Sequence, residues 1–269
     1  MSKPPSKRSI ATKAEVLRLL DGDPTPTKLN AALHELAVWR SALLENTLVA
    51  QAGSQIQSGP FAGMIYNTPQ TDTCRIARML GSYETTLLPV IAQIVEEAPP
   101  LIIDIGCGDG YYAVGLACCL PDTTIWARDA DEGALEQCQA LADTNNVHNR
   151  VKTGGRLTHA DFDICRAQPT TILCDIGGAE AALLDPDRAK GLRRANVLVE
   201  VHEGKSPGLC DVLVDRFSPT HNIMQLGRKF DSDALPDWME GFSDMDRLLA
   251  LWEQRSSPTP WLWMEARHR

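Results

Sequence analysis

Twelve residues near the middle of the chain constrain its fold more than any others: Leu101-Ile-Ile-Asp104-Ile-Gly106-Cys107-Gly108-Asp109-Gly110-Tyr111-Tyr112. A short apolar run, the length of a buried strand, ends beside an acid. Three alternate glycines follow, and a helix-compatible segment starts at once. Glycines at that junction let the chain turn sharply and let another group approach the backbone where a side chain would block it.

Downstream, short β-branched runs alternate with helical stretches. Strands are predicted at 101–105, 123–128, 151–153, 170–176 and 196–202, and 222–227 and 261–267 form a last, antiparallel pair. Helices are predicted at 111–119, 132–143, 179–193 and 207–217, with 230–255 as an insertion between the last two strands. Such alternation points to a parallel sheet covered on both faces. Upstream, 12–52 reads as helical with a break at DGDPTPT. In its second part Leu29, Leu33, Leu36, Leu43 and Leu44 recur near helical spacing, and Thr27 is a candidate N-cap. The Gly-, Pro-, Ser- and Gln-rich 53–70 is expected to be a loop, and a further helix to run over roughly 71–97. The first dozen residues read as a mobile tail. The expected division is 1–98 as tail, helical extension and lid, and 99–269 as the ligand-binding domain.

Composition narrows the function classes. The chain has 269 residues, 43% hydrophobic, and no apolar stretch near the roughly 18 residues of a membrane span. Its N-terminus lacks an apolar signal core, so a cytoplasmic location is expected. The eight cysteines fall largely in apolar segments (Cys107, Cys118, Cys119, Cys138, Cys174) with no CxxC pair, which suits buried thiols. A net charge of −9 weighs against a nucleic-acid partner. The basic cluster Lys3, Lys7, Arg8, Lys13 and Arg18 reads equally as a solvated tail or a contact surface.

The glycine loop has its third glycine one residue earlier than the dinucleotide spacing G-x-G-x-x-G. Asp104 and Asp109 place negative charge where a pyrophosphate would be repelled. The loop therefore suits S-adenosylmethionine (SAM), which carries a sulfonium, an ammonium and no phosphate, better than NAD or FAD. Asp129, 23 residues after Gly106 at the tip of the second strand, can accept the ribose hydroxyls of an adenosine, or else cap the following helix.

DIGCGDG followed by a strand ending in ARDAD resembles motif I and the ribose-binding motif of the class I SAM-dependent methyltransferases. The resemblance covers about 100–265. CDIGGAE (174–180) is similar to the D-x-E-G-x-E motif of FkbM-type methyltransferases, with Gly177 where that family usually carries Glu. It implies an α/β, Rossmann-like, seven-stranded doubly wound sheet, mostly parallel with the last strand antiparallel, behind an N-terminal helical extension. It also implies that Asp104, Gly106, Cys107, Gly108 and Gly110 surround the methionine part of SAM, that Asp129 and Ala130 meet the ribose, and that residues near Asp161 lie beside the adenine. Tyr83 and Glu84, upstream of the loop, could fold over the cofactor or form an exposed turn.

Catalytic groups in doubly wound sheets lie beyond the carboxyl ends of the strands. That singles out Asp175 after the fourth strand as a polar group near the methyl, and His202 after the fifth as base or substrate contact. Asp175, Glu200, His202 and Glu203 could gather a divalent ion, but their spacing demands none, and no metal is expected. Trp261 and Trp263 alternate on a strand and should pack as core. No N/D-P-P-Y/W run follows the fourth strand, and no GxSxG, P-loop or HExxH motif is present. The expectation is O-methylation of a small-molecule or glycan-like acceptor by in-line transfer, with no membrane partner and the homodimer as the assembly to test. A nicotinamide-dependent oxidoreductase and a non-catalytic SAM-binding protein stay open as alternatives.

Overall fold

A computed structural model describes residues 6–68, 74–231, 233, 235–255 and 257–267. Lys3, the end of the 53–70 loop and the start of the helix expected at 71–97 lie outside the described residues.

Seven strands form one sheet in the order β3-β2-β1-β4-β5-β7-β6. They are β1 (Leu101–Ile105), β2 (Thr124–Arg128), β3 (Val151–Gly154), β4 (Thr170–Cys174), β5 (Asn196–Glu200), β6 (His221–Leu226) and β7 (Trp261–Ala266). Strands β1 to β5 pair in parallel, and β7 runs antiparallel to both β5 and β6. Buried β-branched runs make the central strands. Ile102 packs into one apolar layer and Ile103 into the other, as alternation along a strand requires. Trp263 is buried in the first layer, with Trp261 beside it.

The helices are α1 (Lys7–Leu19), α2 (Pro26–Ala52), α3 (Arg75–Leu80), α4 (Leu88–Glu97), α5 (Tyr111–Cys119), α6 (Glu132–Thr144), α7 (Glu180–Leu183), α8 (Leu209–Phe217) and α9 (Asp244–Ala250). Ile91 of α4, Val114 of α5 and Leu141 of α6 cover one face of the sheet, joined by Leu44 and Leu48 of α2. Leu213 of α8 and the 3-10 turns at His159–Arg166 and Lys190–Arg194 cover the other.

Several local expectations are corrected. The tail is helical from Lys7, capped by Ser6, whose hydroxyl accepts from the Ser9 N–H. The cap of α2 is Thr25, not Thr27, because Pro26 is preset for the first helical turn. The expected 71–97 helix is broken where Gly81 turns left-handed at φ 80° after α3. The expected 179–193 helix shrinks to α7 and a 3-10 turn, with Pro186 between them unable to donate to a helical ladder. Leu44 is buried as helical spacing suggests, but Leu29, Leu33 and Leu36 are exposed. Cys118 is exposed and Cys119 half-buried, whereas Cys107, Cys138 and Cys174 are buried.

Candidate active site

The carboxyl ends of β1, β4 and β5 lie side by side, and the strand order reverses between β1 and β4, where crevices open in such sheets. The glycine loop lies at that point. Gly106, Gly108 and Gly110 all have positive φ (81°, 53° and 93°), for different reasons. A Cβ on Gly106 would lie 1.8 Å from the Asp175 carbonyl oxygen, and one on Gly110 would lie 2.8 Å from Cys138 Sγ. A Cβ on Gly108 would meet nothing within 4 Å. Two of the three glycines thus admit the protein's own atoms, and Gly108 alone faces open space.

The loop is held against β2. The N–H groups of Gly106 and Cys107 donate to the Arg128 carbonyl at 2.7 and 3.1 Å, and that of Gly108 donates to Asp129 Oδ2 at 3.0 Å. Asp129 also accepts from the Asp131 N–H. The cap of α6 is Asp131 rather than Asp129.

Gly108 opens onto a cavity of about 410 Å³ whose wall includes Arg78, Asp104, Cys107, Tyr111 and Trp261. Asp104 is buried, and its Oδ2 has no hydrogen-bond partner. Burial first, then the charges of Asp175 and Asp129, push its carboxyl up to about 7. Past Gly106 and Asp175 a more apolar cavity of about 620 Å³ continues, lined by Asp129, Ala130, Leu157, Thr158, Ile176 and Leu183 among others. Gly110 and Asp161 are not part of either wall. The Asp161 carboxylate instead accepts from the Thr158 N–H and hydroxyl, both at 2.7 Å, bonds that hold it below the usual range. Its neighbours Leu157 to His159 line the cavity in its place.

Tyr83 lines the first cavity, but Glu84 does not. Glu84 is buried at φ 49°, takes the Tyr112 hydroxyl hydrogen and pairs with Arg255. Burial pushes its carboxyl up to about 7, against the pull of Arg255. Arg255 also pairs with Glu200 and Glu253. Sequence reasoning missed a further group. All four tyrosines of the chain (Tyr66, Tyr83, Tyr111, Tyr112) gather around Arg78 and the loop. The Arg78 guanidinium lies 4.6 Å from the Tyr83 ring centre and 3.6 Å from Asp109. Nothing local marks this arginine in the last turn of α3, since its place beside the glycine loop depends on the chain folding back.

At the end of β5, His202 Nδ1 lies 2.7 Å from Oε1 of the fully buried Glu180. Its Nε2 faces Glu200 Oε2 at 3.2 Å and Asp175 Oδ1 at 3.5 Å. Burial pushes the Glu180 carboxyl up, but hydrogen bonds from His202 and the Gly178 N–H outweigh it and hold the group low. Asp175 caps no helix, as α7 starts from Ala179. Its side chain is still 45% exposed, but the protein packed around it raises its carboxyl, and His202 and Arg255 pull it back. Glu203 turns away to accept from the Gly208 and Cys210 N–H groups. Among the described residues, donor atoms of Asp175, Glu200 and His202 come within 4.8 Å of one another, and Arg255 already supplies positive charge to Glu200. A third cavity, about 450 Å³, is lined by Tyr83, Glu200, His202, Lys205, Arg255 and Thr259 among others. No described helix is long and apolar enough to cross a membrane.

No family model and no curated protein matches the sequence. Among solved structures, the chain is similar to the O-methyltransferase TomG of Streptomyces achromogenes in complex with SAM, at 12% identity over 66% of this chain and 78% of that one, TM-score 0.45. It is also similar to the O-methyltransferase of Bacillus cereus in complex with SAH, at 11% identity over 96% and 97% of the chains, TM-score 0.47. An rRNA methylase of Streptococcus thermophilus follows at 12% identity over 70% and 99%, TM-score 0.46. On its own strand order, with β7 antiparallel between β5 and β6 and the glycine loop at the reversal point, the chain has the Rossmann-like fold of class I methyltransferases.

Proposed function

We propose that this chain is a SAM-dependent methyltransferase that methylates a hydroxyl of a small, polyhydroxylated acceptor. The observation that carries the reading is the buried Asp104 carboxyl, one oxygen of which has no hydrogen-bond partner, in a cavity that runs past Gly106 into a more apolar one. A carboxyl held up by burial gains most from a cation, and an ammonium is one. The residues fit SAM at each end. Asp104 would take the ammonium, Arg78 the carboxylate, Asp129 the ribose, and the apolar cavity the adenine. A pyrophosphate would meet Asp104, Asp109, Asp131 and Asp175 with Arg78 as the one opposing cation in that wall.

When bound, SAM supplies a methyl group on a sulfonium, an electrophile that needs no activation by the protein. The work left to the side chains is to position the acceptor, exclude water and remove a proton. With Nδ1 held by Glu180, His202 turns its Nε2 to the acceptor cavity, beside the Glu200 and Asp175 carboxylates. That nitrogen takes the hydroxyl proton, and Glu180 stabilises the imidazolium that results. Asp175, shared by both cofactor cavities and 3.5 Å from His202, stands where the two substrates meet. Glu200, Lys205, Arg255 and Thr259 bring charged and hydroxyl groups to that wall, which suits an acceptor with several hydroxyls.

Calorimetric titration with SAM, SAH and NAD tests the reading. Binding of SAM and SAH with no heat from NAD is expected. Tight NAD binding without SAM binding would overturn it.

A further inference from the structure

The exposed leucines of α2 are not scattered. Leu29, Leu33 and Leu36 stand at i, i+4 and i+7, one row along the helix, and are 45–62% exposed. The next member of the row, Arg40, crosses to α9 and binds Asp246 through two contacts at 2.6 and 2.7 Å. The α9 segment thus covers the row from Arg40 onward and leaves its first three turns bare. On α9 itself Met245 and Leu248 point outward, 60% and 64% exposed. On α1, Thr12 and Ser9 face α2, bonded to Glu35 and Trp39, while Ile10 and Leu17, two turns apart, are exposed.

These seven aliphatic side chains expose on the order of 700 Å², close to the roughly 800 Å² that each partner contributes to a standard stable interface. Isolated surface leucines need no explanation, but seven exposed aliphatic side chains on three helices packed together do. The face is built from helix ridges rather than a concavity, so a small ligand is a poor occupant. A row of leucines at i, i+4 and i+7 is self-complementary. Two copies related by a two-fold axis can pack such ridges into each other's grooves. An anionic bilayer is a poorer match, because the chain carries −9 overall.

We propose that this face, centred on Leu33 of α2, joins two copies of the chain in a homodimer. The inference does not depend on the proposed chemistry. The test is sedimentation velocity on the full chain over about 1 to 100 µM. The wild type is expected to sediment as a dimer. Leu33→Asp should raise the dissociation constant roughly 100-fold, the loss of a central anchor. Its circular dichroism and SAM affinity should be unchanged, since the side chain touches no core. Leu33→Cys is expected to give, on mild oxidation, a dimer linked through the introduced thiol. A wild type that stays monomeric at the top concentration would overturn the proposal. So would a dimer indifferent to both Leu33→Asp and Leu29→Asp, or a monomer that floats with phosphatidylglycerol vesicles.

Discussion

Asp104 is a carboxyl that the fold keeps from water and leaves half unpartnered. Raised to about 7, it stabilises the folded chain below its unfolded value near 4 relative to higher pH. As pH rises from about 4 to 7 the folded state must ionise it against burial, and that cost is complete above 7. A cation bound there removes the cost. The rise in melting temperature on adding SAM should therefore be larger at pH 8 than at pH 5.5, by scanning fluorimetry. Asp104→Asn should flatten that difference and weaken SAM binding by about 10- to 100-fold. His202 belongs to the same scale. His202→Gln should lower kcat by about 10²- to 10⁴-fold and leave the SAM dissociation constant unchanged. A parallel loss of cofactor affinity would mean that His202 positions SAM and is not a base.

At the scale of elements, the glycine loop separates two kinds of necessity. Gly106→Ala forces a Cβ to within 1.8 Å of the Asp175 backbone and should unfold the junction of β1 and β4, seen as a large drop in melting temperature. Gly108→Ala meets no atom within 4 Å and costs only the left-handed backbone, about 1 to 2 kcal/mol. It should stay folded yet bind SAM less well, because its methyl occupies the open side. Calorimetry and thermal melts on the pair check both. The strands were readable to within about two residues because buried β-branched runs announce themselves without help from the rest of the chain. Helices were less so. Gly81 and Pro186 interrupt runs that periodicity alone joins, and Thr25 replaces Thr27 as cap because of the proline beside it.

Across the whole molecule, Arg255 ties distant parts together. It meets Glu84 ahead of the sheet, Glu200 at the end of β5 and Glu253 beside itself. Arg255→Met would leave the buried Glu84 and Glu200 without their arginine, while Glu253 keeps Arg228, and should cost about 3 kcal/mol or more, measured by urea denaturation. If stability barely moves, water reaches the cluster and the tie is loose. Sequence alone determined what depends on near neighbours. That covers the alternation of strand and helix, the sheet it builds, and a glycine bend beside acids that favours a cation over phosphate. Tertiary structure decided which glycine faces the cavity and placed Arg78 among four tyrosines. It also set Glu180 behind His202 and turned Glu84 away from the cavity walls, whereas Asp161 is held by its own local capping box with Thr158. The Glu180–His202 and Glu84–Arg255 pairings join residues 22 and 171 positions apart, and chain closure over such distances leaves no periodic mark on the sequence.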